Sequence, residues 1–460
     1  MNSMKQYEWY KVEDCSYFSE FLRKISEKYK DGVAFQNGDI IITYKQFEDD
    51  VKRYANYFNQ YYKQLFVLDI EDCYTFACVY FATIISGNIS VLCRENEANS
   101  LLDNENYILV NDEVAFIIKD SNVADFEMNN ENEDCCTIVC SSGTTSQLKG
   151  VMLSQKNLLS DTIAGMRCYE YKANSVYLNI IPYTHLFGIV ADLLGPLYSG
   201  GCICYGDKLA FFENLRKYKP TNLNLPPALV NAIFKLLIST NDFAYATGGR
   251  LKKVMCAGAK MNDNLNNEFE QYGMRVYSAY GLTECSPCVS LSRDDFYKKD
   301  SAGLVMPCNT VEIVEGEVVV SGSNVMLGYY NNQESTNLVL REGKLYTGDL
   351  GYLDEDNFLY ITGRKSNLIV FSDGTKILPE IIETKLNEVN GVEESLVKES
   401  EKKEHIDIRV VSVEGIDKNY LKSKVDELLK ELNIIHRVYL LKISTDPLKK
   451  NKLGKVSRKE

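Results

Sequence analysis

Over residues 17–57, apolar side chains recur at helical spacing on both sides of two short apolar runs, residues 33–36 and 40–44. A repeat near 3.6 predicts amphipathic helices. Two strand-like runs separated by Asn37-Gly38-Asp39 predict a hairpin. Residues 76–93 carry no charge, but Gly87-Asn88 interrupts them, which predicts a buried helix followed by a strand. Helical and strand-like segments then alternate, the pattern of a doubly wound α/β fold. Strand-like runs at 254–259 and 276–281 both deliver glycine-containing loops. Residues 311–314 and 317–322 are strand-like with no helix between them, which predicts a β-rich subdomain. Past residue 363 the pattern changes to a helix at 381–389, a strand at 406–413 and a charged amphipathic helix at 420–432. The expected architecture is a large α/β domain over 1–363 and a small α+β domain over 364–460.

Composition narrows the possibilities. A chain of 460 residues is long enough for at least two domains, and 45% hydrophobic with 25% charged residues is ordinary for a globular protein. The formal net charge of −13 argues against general nucleic-acid binding, although a polyanionic ligand needs only a local cationic site. Residues 364–460, with about 20 basic and 17 acidic side chains, stand apart from a strongly acidic remainder. Residues 120–134 are acidic and asparagine-rich, as expected of a solvated loop. The 14 cysteines show no repeated spacing, and Cys285-Ser286-Pro287-Cys288 has no second pair to complete a zinc site. Reduced, mostly buried thiols are expected. The first residues lack the apolar core of a signal peptide, so a cytoplasmic protein without an integral membrane segment is expected.

The densest chemistry lies in Cys140-Ser141-Ser142-Gly143-Thr144-Thr145-Ser146-Gln147-Leu148-Lys149-Gly150, after the apolar run Thr137-Ile138-Val139. Hydroxyls, glycine backbone and one lysine form a set of donors suited to polyphosphate, and the expected context is strand, loop, then a helix starting near Gln155. It is not a Walker loop, since no Gly-Lys-Ser/Thr follows a glycine at the required spacing. Further motifs follow in order: Pro182-Tyr183-Thr184-His185-Leu186-Phe187-Gly188, Tyr280-Gly281-Leu282-Thr283-Glu284, Tyr346-Thr347-Gly348-Asp349-Leu350-Gly351 and Gly363-Arg364-Lys365. Leu378-Pro379-Glu380-Ile381-Ile382-Glu383 comes next, and Pro447-Leu448 with Gly454-Lys455-Val456 and Arg458 closes the series. Together these resemble the motif set of the adenylate-forming (AMP-binding) enzymes, most closely their fatty-acyl and aryl-acyl CoA synthetases, from about residue 17 to the end. Two positions of the phosphate loop depart from that family, which usually has Gly at Ser146 and Pro at Leu148.

The resemblance implies a reaction in which a small-molecule carboxylate attacks the α-phosphorus of ATP and pyrophosphate leaves. A thiol, that of CoA or of a carrier protein's phosphopantetheine, then takes the acyl group. Two anions must meet, so neutralisation and alignment should dominate catalysis. On this reading Ser142, Gly143, Thr144, Thr145 and Lys149 hold the β- and γ-phosphates, and Thr283 donates to the α-phosphate. Glu284 binds Mg²⁺, a hard cation that bridges phosphates. Tyr280 offers its face to adenine beside the backbone of Gly258 and Ala259, and Asp349 and Arg364 bind the ribose. Lys455 bridges carboxylate and α-phosphate as the mixed anhydride forms. His185 stands among the catalytic candidates, although a histidine in an apolar run is more often a packed or gating residue. Cys285 has no visible partner base and is not read as a nucleophile.

The family's small domain is mobile, and its hinge position here is Ser366, where Lys or Asp is commoner. Residues 372–376 fall where relatives line the pantetheine tunnel. The absence of Phe-Asp in the pocket motif speaks against an α-amino acid and favours a fatty or other apolar acid. Two alternatives stay open: an acyl-AMP ligase that loads a carrier protein, and a non-catalytic nucleotide or acyl sensor.

Overall fold

The computed structural model describes residues 7–102, 106–119, 133–142, 148–257, 268–294 and 296–449. It divides into two compact units. One comprises Met1–Glu312, Val319–Tyr346 and Asp354–Leu359, and the other Ile313–Val318, Thr347–Leu353 and Tyr360–Glu460.

The first unit holds two large sheets. In the nine-stranded sheet the order runs Leu304–Val305, Cys288–Leu291, Arg275–Gly281, Lys253–Ala257, Asn222–Leu225, Val176–Leu178, Cys202–Cys204, Val33–Asn37, Ile40–Thr43. Its central strands pair parallel, and antiparallel strands close both edges. The six-stranded sheet has the order Gly328–Tyr329, Leu148–Ser154, Cys135–Ser142, Ile89–Leu92, Leu65–Asp69, Tyr107–Asn111. This is the doubly wound α/β arrangement expected from the alternating pattern.

Local signals explain the element boundaries. Thr43 and Gln46 form a reciprocal capping box at the start of helix Tyr44–Phe58, so the apolar run that begins at Ile40 ends as a strand at Thr43. The uncharged stretch resolves into helix Cys73–Ile85, Gly87 at φ +80 and strand Ile89–Leu92. Asp72 caps that helix and all its residues but Thr75 are buried, which is why it lacks a polar face. No helix among the described residues is long and apolar enough to cross a membrane.

In the second unit, strands Val392–Glu399, Ile406–Ser412 and Val438–Ser444 form one sheet with helices Pro379–Asn387 and Lys418–Glu431. Ile406–Ser412 and Val438–Ser444 are parallel, so a crossover must join them, and helix Lys418–Glu431 is that crossover. Leu386, Val397, Ile408, Val410, Leu421, Val425 and Leu429 fill its core.

Candidate active site

The expected strand, loop and helix around the phosphate loop needs one correction. Cys135–Ser142 is followed by a second strand, Leu148–Ser154, paired antiparallel to it through Ser142↔Leu148, Ser141↔Lys149 and Cys140↔Gly150. Helix Gln155–Cys168 begins only after that strand, capped by Ser154 and Asn157. Seven strand residues span roughly 23 Å. A helix dipole fades within about one turn, so it does not reach the loop. Gly143, Thr144, Thr145, Ser146 and the side chain of Ser142 lie outside the described residues.

Lys149 is described, and its Nζ stands 4.8 Å from the centre of the Tyr329 ring. The same tyrosine donates its hydroxyl to Glu284 Oε1 at 2.7 Å. One buried aromatic residue therefore joins the strand after the phosphate loop to the Thr283–Cys285 turn. Burial raises the Tyr329 hydroxyl pKa, and the neighbouring Glu284 carboxylate raises it further, so the phenol stays a donor. Backbone bonds hold the three segments together: Met326 N to Glu284 O, Leu327 N to Met152 O and Tyr330 N to Gly150 O. Sequence reading did not find Tyr329, whose only local signal is an aromatic pair after Gly328.

The 280–284 pentapeptide needs its glycine. A Cβ on Gly281 would stand 1.8 Å from the Pro287 carbonyl oxygen. Tyr280 lies on strand Arg275–Gly281, and Ala257 pairs with Ala279 beside it. Gly258 and Ala259 lie just past Ala257, outside the described residues. Cys285 is fully buried and its thiol is pushed well up by burial, which fits a structural cysteine. All 14 cysteines are free.

Residues 182–188 form a tight turn in which Tyr183 and Leu186 are buried and His185 is exposed. Tyr183 contacts Cys73 Sγ through its hydroxyl at 3.2 Å and packs on Phe76. A Cβ on Gly188 would meet the Pro182 carbonyl at 2.8 Å, so this turn also requires glycine. Although the His185 ring reaches solvent, crowding by protein atoms lowers its pKa, and it is neutral at pH 7.

Asp192, in the π-helical segment Gly188–Leu194, was not singled out by the sequence. It is 1% exposed, accepts from Asn224 Nδ2 at 2.7 Å, and burial pushes its pKa up to about 7 from 3.8. Between those two values the unfolded chain has lost the proton that the folded chain keeps. Stability therefore falls as pH rises through this window and levels off above the folded pKa. At 1.36 kcal/mol per unit the penalty is about 4 kcal/mol. Asp192→Asn removes it, so the variant's melting temperature relative to wild type should rise by about 3 °C or more from pH 5 to pH 8. A pH-independent offset would show that Asp192 is ionised in the fold.

In the second unit, Arg364 Nε pairs with Asp349 Oδ1 at 2.8 Å. Asp349 is 4% exposed, and its backbone N–H donates to Thr347 Oγ1. Beside it, Lys365 Nζ and the Gly348 N–H both reach Glu317, at 2.8 and 3.0 Å. Glu317 and Lys365 are a second pair that sequence reading left out. Arg437 bonds to Asp373 and Glu404 and lies over Phe371, fixing the 372–376 loop. Leu448 packs with Leu396 and Val411, and Arg409 donates to the carbonyls of Asp446 and Pro447. Lys455 lies outside the described residues.

The donor set also bears on metal choice. No cluster of three or more His, Cys, Asp or Glu among the described residues could hold an ion. A single carboxylate such as Glu284, completed by phosphate oxygens and water, suits magnesium.

Residues 104–330 match the model of the AMP-binding enzyme family. Among curated proteins, the Dictyostelium discoideum protein named probable 4-coumarate–CoA ligase 3 is 31% identical over 259 residues, 52% of this chain and 46% of that protein. A long-chain-fatty-acid–CoA ligase of Bacillus subtilis is 30% identical over 286 residues, 57% of this chain and 50% of that protein. The chain thus spans about half the length of the curated relatives it matches. Among solved structures, ATP-bound MatB of Rhodopseudomonas palustris aligns with a TM-score of 0.82 at 20% identity, covering 95% of this chain and 97% of that one. The o-succinylbenzoate coenzyme A synthetase of Bacillus subtilis, in complex with ATP and magnesium, aligns at 0.79 and 20% identity, covering 95% and 98%. At this identity these two show a shared fold.

Proposed function

We propose, on the premise that this chain belongs over residues 104–330 to the AMP-binding enzyme family, that it activates a carboxylic acid with ATP and transfers the acyl group to a thiol. A carboxylate oxygen attacks the α-phosphorus and the bond to the bridging oxygen breaks, releasing pyrophosphate. The thiol sulfur then attacks the acyl carbonyl, AMP leaves, and the thiol proton passes to solvent. The product is a thioester, with CoA the simplest acceptor.

The observation that carries this reading is the meeting of Lys149 and Glu284 at Tyr329. It sets a cation from the phosphate-loop hairpin and the Glu284 carboxylate on the same tyrosine, so that a triphosphate and its Mg²⁺ would meet opposite charges from both segments. Ser142, Gly143, Thr144, Thr145 and Lys149 hold the terminal phosphates, Thr283 the α-phosphate and Glu284 the metal. Tyr280, Gly258 and Ala259 frame adenine, Asp349 and Arg364 the ribose, and Lys455 neutralises the reacting groups. Magnesium, when bound, supplies charge neutralisation across the phosphates. His185, neutral and open, lines the acyl entrance.

An apolar acid, fatty or aryl, is the substrate class that the Leu186-Phe187 motif favours, since nothing there pairs an α-amine. The test is ATP–pyrophosphate exchange across a panel of carboxylates in Mg²⁺. Exchange with apolar acids and none with amino acids is expected. No exchange with any acid would overturn the reading in favour of a sensor, to which the altered Ser146 and Leu148 would then point. Mass spectrometry of thioesters, with CoA and a carrier protein in competition, separates the two acceptors.

A further inference from the structure

Beneath the Thr283–Cys285 turn lies a polar cluster sealed from solvent. Asp161, on helix Gln155–Cys168, is 1% exposed, and Asn324 is fully buried. Asp161 Oδ1 accepts from Asn324 Nδ2 at 2.9 Å and from the Cys288 N–H at 3.2 Å. Asn324 Nδ2 also lies 2.8 Å from the carbonyls of Cys285 and Cys288, and Ser286 Oγ donates to the Asn324 carbonyl at 2.7 Å. From the same helix, Asn157 Nδ2 donates to the carbonyls of Ser323 and Val325. The helix thus grips both the 283–288 turn and the 323–326 segment, whose Met326 N–H bonds to the Glu284 carbonyl.

Among the described residues, two buried oxygens of this cluster have no hydrogen-bond partner: Asp161 Oδ2 and Asn324 Oδ1. An ionised carboxylate leaves both unsatisfied, because neither atom can donate. One proton on Oδ2 turns Asp161 into a donor, and the orphaned Asn324 Oδ1 is an acceptor of the kind it needs. Acid and amide are complementary in this way, each donating once and accepting once.

We propose that Asp161, carrying a proton on Oδ2, is a positioning residue that locks Asn324 and through it the turn bearing Glu284. The proposal rests on the reading of Glu284 as the magnesium ligand. Among the described residues, the titratable groups facing Asp161 are Cys168, Tyr171, Cys285, Cys288 and Cys308. Burial accordingly pushes its pKa well above the usual range, against the pull of Asn324 and the Cys288 N–H.

Asp161→Asn preserves one donor and one acceptor, whereas Asp161→Ala removes both. The asparagine variant should keep pyrophosphate exchange within about threefold of wild type, with an unchanged Mg²⁺ half-saturation. The alanine variant should raise that half-saturation by about tenfold, more than it lowers kcat. Melting temperatures measured from pH 5 to pH 8 read the proton directly: the asparagine variant should gain on wild type as pH rises. An asparagine variant as impaired as the alanine variant would overturn the proposal, and so would a melting offset that does not move with pH. Should the alanine variant fail to fold, the asparagine variant and its pH profile still decide. Absence of exchange in wild type itself would sink the adenylation reading, while the melting profile judges Asp161 independently.

Discussion

Replacing Lys455 with alanine should lower acyl-adenylate formation by about 100- to 1000-fold, while thioester formation from supplied acyl-adenylate stays within about threefold of wild type. The asymmetry comes from the charges. In the first half-reaction a carboxylate must approach a triphosphate, and a preorganised ammonium between them acts on charge that develops in the transition state. In the second, a thiol attacks an already activated carbonyl and AMP departs, so that ammonium has no comparable work. A solvated lysine near a chain end would give a far smaller effect, since exposed charge interactions amount to about 1 kcal/mol or less. Lys452→Ala is the control and should change either step by less than about twofold. The measurement is pyrophosphate exchange beside thioester release from synthetic acyl-adenylate. Equal losses in both would contradict a lysine that serves adenylation alone.

What the sequence disclosed depended on how local each signal was. The helices that flank the 33–43 hairpin, the helix and strand split at Gly87 and the strands at 311–322 all follow from spacing within a dozen residues. The return strand Leu148–Ser154 did not, because Lys149-Gly150 breaks its apolar run. Its identity as a strand is set by pairing with Cys135–Ser142. In the small unit, Val392–Glu399 hides among charges. Its buried run is only Ser395-Leu396-Val397, bracketed by Glu393-Glu394 and Lys398-Glu399, so no period-two alternation marks it.

The residues that hold the candidate site together were less legible than those that motif resemblance names. Asp349 and Arg364 could be named through motif resemblance, and the fold brings them into direct contact. Tyr329 and Asn324 could not. Their partners stand 45 residues away at Glu284 and 163 residues away at Asp161, and no local period connects such positions. A buried polar residue in a helix, such as Asp161 between Ser160 and Thr162, reads from sequence as part of a solvated face. Only packing shows that it points inward.

Glu284→Ala should reduce acyl-adenylate formation by on the order of 100-fold and raise the Mg²⁺ concentration needed for half-maximal rate. The two effects belong together, because a carboxylate that binds metal acts on the rate only through the metal. Tyr329→Phe separates positioning from charge. It deletes the 2.7 Å bond to Glu284 Oε1 but keeps the ring over which Lys149 stands. A hydrogen bond to a charged group contributes about 1.5–3 kcal/mol. Part of that returns as hydration of a half-buried carboxylate, so a loss of about three- to tenfold is expected, again with a raised Mg²⁺ requirement. Tyr329→Ala also removes the surface that holds Lys149 and should fall between the other two variants. A Glu284→Ala enzyme whose Mg²⁺ dependence matched wild type would remove Glu284 from the metal. The bond from Tyr329 would then be structural, and the carboxylate's place beside the phosphate hairpin would need another account. If the Mg²⁺ requirement rises in the order Tyr329→Phe, Tyr329→Ala, Glu284→Ala, then the tyrosine is the part of this fold that couples the metal site to the phosphate-binding lysine.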